Sequence, residues 1–123
     1  MTIQELYEKI GGSYDSALKI LQSDRLIGKF ILRFAEDGSA GKLLEAYAAG
    51  DPAGMFEGAH ALKGVCANLG LDQLSRMASE LAEEYRPGNQ PRLTPEELAQ
   101  RMEALRQQHE RTLEGIQAYA AEQ

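Results

Sequence analysis

The apolar residues of this chain recur at three- and four-residue intervals from one end to the other, a spacing that fits packed helices and little else. Leu26, Ile27, Phe30, Ile31 and Phe34 form the clearest stripe, all on one side of a helix. Leu6, Tyr7 and Ile10 repeat the pattern earlier, as do Tyr14, Ala17, Leu18 and Leu21. Later come Leu43, Leu44, Tyr47 and Ala48, then Leu74, Met77, Ala78, Leu81 and Tyr85, and finally Leu98, Met102, Leu105, Leu113 and Ile116. No segment alternates with period two, and β-branched residues are sparse. The pattern predicts an all-α bundle in which short connections make neighbouring helices antiparallel.

Punctuation divides the stripes. Thr2 followed by Glu5 is a capping box, and Gly11-Gly12 stops the short helix it opens. A second segment runs from about Ser13 to Gln22, and Ser23 or Asp24 can cap a third that closes at Glu36-Asp37-Gly38. These two could equally be one kinked helix. Ser39 to Ala49 is the next, and Gly50-Asp51-Pro52 is a stop followed by a start, with Asp51 as N-cap and Pro52 at the first helical position. That helix runs to about Leu69, and another spans about Leu71 to Tyr85. Arg86-Pro87-Gly88-Asn89-Gln90-Pro91 is the clearest loop. Thr94-Pro95-Glu96-Glu97 then caps a long final helix, whose stripe must be buried against this chain or a second copy.

With 123 residues, the chain has the length of one domain, taken as 1–123. Its 43% hydrophobic and 26% charged residues exclude whole-chain disorder. A net charge of −6, from 13 basic and 19 acidic residues, leaves no basic surface for nucleic acid. No apolar run approaches the roughly 18–20 residues a membrane span needs. The N-terminus MTIQELYEKI lacks the apolar segment of a secretory signal, so a cytoplasmic location is expected. One cysteine and two histidines form no recognisable metal-ligand spacing, and no metal site is expected.

One helix does not read as scaffold alone. On a wheel of residues 52–69 with His60 at zero, Met55, Gly58, Leu62, Val65, Cys66 and Leu69 fall within about 80° of the opposite pole. Phe56, Glu57, Lys63, Gly64 and Ala67 lie around His60 itself. The imidazole therefore points away from the apolar stripe. A lone histidine on a helix surface is ordinarily a solvated side chain, but here its neighbours form a pattern. Gly64, one turn on, costs a helix interior about 1 kcal/mol relative to alanine, and close approach of another molecule would compensate. Lys63 sets an ammonium within reach of an anion held on the ring. An acceptor imidazole, a cation and an empty lane beside them suit a phosphoryl group. Gly64 could instead permit close helix packing.

Ala59-His60-Ala61-Leu62-Lys63-Gly64, followed by Asn68-Leu69-Gly70, resembles the signature of the histidine-containing phosphotransfer (HPt) domain family. Phe30 to Phe34, Lys42-Leu43-Leu44-Glu45-Ala46, Gly50-Asp51 and Leu74 to Leu81 fit the same setting, so the resemblance covers about residues 13–86. Val65 departs from it, standing where many members have a small residue, and the helix after Thr94 lies outside it. The resemblance implies an antiparallel up-down four-helix bundle, here with a short extra N-terminal helix and a long C-terminal one. It implies a stoichiometric phosphocarrier, not an enzyme, that shuttles a phosphoryl group between aspartates of receiver domains in a multistep phosphorelay. His60 would be the phosphoacceptor, Lys63 and Gly64 would lie beside the phosphate, and Phe56, Glu57 and Ala67 would help dock the partner. Expected partners are a response-regulator receiver domain and a hybrid histidine kinase. No cofactor is expected in this chain, the Mg²⁺ belonging to the receiver. No glycine-rich nucleotide loop is present for transfer from ATP.

Two other readings share these residues. A helical protein-interaction module would use the same face without exchanging phosphate. An enzyme using His60 as general base would need an oriented carboxylate, for which Glu57 is the only sequence-local candidate. Among the remaining residues, His109 reads as a packed or boundary side chain, Cys66 as inert packing, and Glu80, Glu83 and Glu84 as a solvated helix face.

Overall fold

Side-chain caps set where the helices begin. In the computed structural model, which describes residues 1–123, the elements are α1 (Ile3–Ile10), α2 (Tyr14–Leu21), α3 (Asp24–Phe34), α4 (Ser39–Ala49), α5 (Pro52–Asn68), α6 (Asp72–Glu84) and α7 (Pro95–Ala121), with no strand. The capping boxes close at both predicted places: Glu5 N–H donates to Thr2 Oγ1 at 3.0 Å, and Glu97 N–H to Thr94 Oγ1 at 3.1 Å. Asp51 caps α5 by accepting from Gly54 N–H at 3.1 Å, with Pro52 at the first position. Segments two and three are separate helices, because Gln22 turns left-handed at φ 71° and Ser23 caps a new helix through Leu26 N–H.

Twenty-five buried hydrophobic residues form one cluster, to which every helix contributes. Full burial of a leucine such as Leu43 or Leu62 contributes roughly 1.5–3 kcal/mol. Helix α5 packs chiefly between α4 and α6 and keeps one side open to solvent. The α4 contact is close because a Cβ on Gly58 would stand 2.8 Å from the Leu43 backbone nitrogen, and one on Gly54 would stand 3.0 Å from Ala46 Cβ. This contact corrects the expected α4 stripe. Ala48 is exposed, and Ala40 and Ala46 are buried instead; Ala46 stands against Gly54 of α5.

The α7 stripe is covered in cis, by α1, α3, α4 and α6. Met102, Leu105 and Ile116 are buried, while Leu98 and Leu113 are half-buried. Their row is completed by polar residues that the apolar pattern passed over. Gln108 donates to the Ile10 carbonyl at 2.8 Å, satisfying an acceptor left over at the end of α1. Thr112 Oγ1 donates to the Gln108 carbonyl at 2.8 Å.

The α6 carboxylates are also not simply solvated. Glu80 pairs with Arg101, and Glu83 with Arg86. Glu84 Oε2 accepts from the N–H groups of Arg92 and Leu93, at 2.8 and 2.6 Å. The loop between α6 and α7 folds back on α6 with Glu83 and Glu84 as anchors, while Glu80 ties α6 to α7. No helix is long and apolar enough to cross a membrane.

Candidate functional site

Helix α5 sorts its residues into two faces. Met55, Gly58, Ala59, Leu62 and Cys66 are buried, and His60 is exposed between the fully buried Ala59 and Leu62. Glu57, Gly64 and Ala67 are also exposed, while Phe56 and Lys63 are half-buried. All six residues picked from the sequence therefore share the accessible side of one helix. Val65, expected in the core, is half-buried at its margin.

The two explanations offered for the helix-interior glycine now separate. A Cβ on Gly64 would meet nothing within 4 Å, so packing does not require a glycine there. Gly54 and Gly58 are the glycines of α5 that packing requires. Gly64 leaves the surface one turn beyond His60 without a side chain.

The imidazole makes no hydrogen bond to the protein. Its neighbour is the Phe56 ring, one turn earlier, stacked with a centroid separation of 5.5 Å and an interplanar angle of 20°. The Arg86 guanidinium carbon lies 5.8 Å from the centroid of that same phenyl ring. Arg86 Nε in turn donates to Glu83 Oε1 at 2.6 Å. The sequence placed Arg86 in a loop and gave no sign that it reaches α5, since its approach depends on how α6 ends. Ser75, from α6, donates to the Lys63 carbonyl at 3.3 Å and ties the backbone of the site to the neighbouring helix.

Neither Lys63 nor Glu57 forms an ion pair. The Lys63 ammonium is a cation uncommitted to any carboxylate beside an exposed imidazole. Glu57 does not hydrogen-bond His60, so the oriented carboxylate that a general-base histidine uses is missing from this arrangement. The other two reactive groups lie elsewhere. His109 is half-buried edge-on against Phe34, at 6.0 Å and 75°, and Cys66 is in the core.

A solvent-facing imidazole with unpaired nitrogens, an uncommitted ammonium nearby and bare helix surface can accept a group from a macromolecule that docks over it. Searches of curated proteins and of solved structures find no match. The family model of the Hpt domain matches residues 26–115. That span starts later than the resemblance read from motifs and runs well into α7. The long amphipathic helix carries no short motif of its own but belongs to the matched domain. The chain is therefore a member of the Hpt domain family, phosphotransfer modules that work with receiver domains in phosphorelay signalling.

Proposed function

We propose that this protein is a cytoplasmic phosphocarrier, one domain over residues 1–123 with an up-down helical core, in which His60 takes and returns a phosphoryl group. The observation that carries the reading is the exposed, unpaired His60 ring beside the open surface at Gly64. The donor is a receiver domain bearing an aspartyl phosphate. A ring nitrogen of neutral His60 attacks phosphorus in line. The N–P bond forms as the P–O bond to the aspartyl carboxyl breaks, and the carboxylate stays on the receiver. The reverse step delivers the group to an aspartate of a second receiver. The two partners are a hybrid histidine kinase and a response regulator.

The work of this chain is positioning and charge stabilisation. Lys63 offsets the charge of the phosphoryl group, Gly64 leaves the lane open, and Phe56, Glu57 and Ala67 contribute to the docking surface. The Mg²⁺ that assists the transfer resides in the receiver, and this chain carries no cofactor. Its turnover is stoichiometric.

The test mixes the protein with a ³²P-labelled phospho-receiver. Acid-labile, alkali-stable label is expected on wild type and none on His60→Gln. Label persisting on His60→Gln overturns the role of His60. A wild type that binds the receiver and takes no label overturns phosphate exchange in favour of an interaction module.

A further inference from the structure

His60 is held by no hydrogen bond, yet an in-line attack needs the ring in one orientation. Histidines that act in catalysis are commonly oriented by a carboxylate or backbone carbonyl on the second nitrogen. Here the ring makes no hydrogen bond or ion pair, and its aromatic contact is the stack on Phe56. We propose that Phe56 is a positioning residue for the His60 imidazole and that Arg86, anchored by Glu83, holds Phe56 in place. This role rests on the phosphocarrier reading and adds to it a residue from outside the histidine helix.

Three observations support the chain of contacts. Phe56 is half-buried and packs against the core, so its ring is a firmer platform than a solvated side chain. The imidazole lies nearly parallel to it, at 20°, which removes one rotational freedom while leaving both nitrogens at the ring edge unpaired. The Arg86 guanidinium sits over the phenyl ring, a cation–π geometry, with its Nε committed to Glu83 Oε1. Stacking orients the ring without drawing a proton toward a carboxylate, so either nitrogen stays available for phosphorus. No bond changes at Phe56 or Arg86.

Docking is a separate role for Phe56, and it is removed from the measurement by saturating the receiver. Under single-turnover conditions with saturating phospho-receiver, Phe56→Leu is expected to lower the maximal transfer rate about ten-fold. Phe56→Tyr keeps the aromatic ring and restores the rate, and Arg86→Gln gives a smaller loss in the same direction. In NMR spectra of the unphosphorylated protein, the His60 ring-proton resonances shift in Phe56→Leu and return towards wild type in Phe56→Tyr. Equal maximal rates for wild type and Phe56→Leu overturn the positioning role, as do unmoved His60 resonances. An Arg86→Gln rate equal to wild type removes Arg86 from it. A wild type that takes no phosphoryl group overturns the phosphocarrier reading itself, an outcome distinct from a transferring wild type matched by its variants.

Discussion

The Tyr7 hydroxyl donates a 2.6 Å hydrogen bond to the Leu69 carbonyl oxygen, tying the first helix to the residue that ends the histidine helix. The bond is buried, and burial holds the Tyr7 phenol well above its ordinary range. Tyr7→Phe keeps the ring and leaves the Leu69 carbonyl without this donor. The cost of an orphaned buried acceptor is about 1–3 kcal/mol. Urea unfolding is expected to show a lower midpoint with an unchanged slope, since the surface exposed on unfolding is nearly the same. An unchanged midpoint would mean that water replaces the hydroxyl.

That contact also marks where sequence reasoning stops. The helices were legible because caps and stripes are local: Thr2 with Glu5, Asp51 with Pro52, and Thr94 with Glu97 all lie within four residues of one another. The accessible face of α5 was legible for the same reason, as a wheel needs only the helix it describes. What stayed hidden depends on a second element. Gln108 reads as a surface residue until the end of α1 meets it, and Arg86 reads as a turn residue until α6 brings it to Phe56. Glu84 reads as solvated until the following loop returns to it. Ala46 outranked Ala48 because Gly54 and Gly58 let α4 come close.

Two glycines of α5, Gly58 and Gly64, give opposite expectations. Gly64→Ala adds a methyl group to open space and removes the conformational cost of glycine, so it is expected to stabilise the fold by about 0.5–1 kcal/mol. Gly58→Ala forces a methyl group against the Leu43 backbone and is expected to destabilise by about 1–3 kcal/mol. Thermal melts of the two variants should therefore move in opposite directions. A long side chain, Gly64→Gln, is expected to keep the fold and weaken receiver binding. Calorimetric titration that finds the wild-type affinity for Gly64→Gln would show that no partner approaches there.

Cys66 is fully buried, and its thiol is pushed up to about 12, first by burial and then by the charge of Asp37. The thiolate is the reactive form, so two barriers protect this residue in the folded protein. At pH 8, a chromogenic disulfide reagent is expected to leave the native protein unlabelled and to titrate one thiol once urea unfolds it. Rapid labelling of the native state would mean that α5 opens locally, because the sulfur has no other route to solvent.

His109 gives the fold a pH dependence whose sign is fixed by its surroundings. Burial against Phe34 lowers its pKa below the ordinary 6.5, and the charge of Asp37 opposes only part of that. The unfolded chain therefore binds a proton at His109 more readily than the folded one. The stability linked to this group is complete above about pH 6.5 and declines as pH falls from there through the lowered value. Wild-type urea midpoints should drop between pH 7.5 and 5.5, and His109→Gln should drop less over the same interval. The carboxylates lowered by capping and pairing, Glu5, Glu97 and Glu103, start below the ordinary 4.5 and lose their charge at lower pH, outside this window. Parallel pH profiles for wild type and His109→Gln would show that the ring is as well hydrated in the folded protein as in the unfolded chain, against its packing on Phe34.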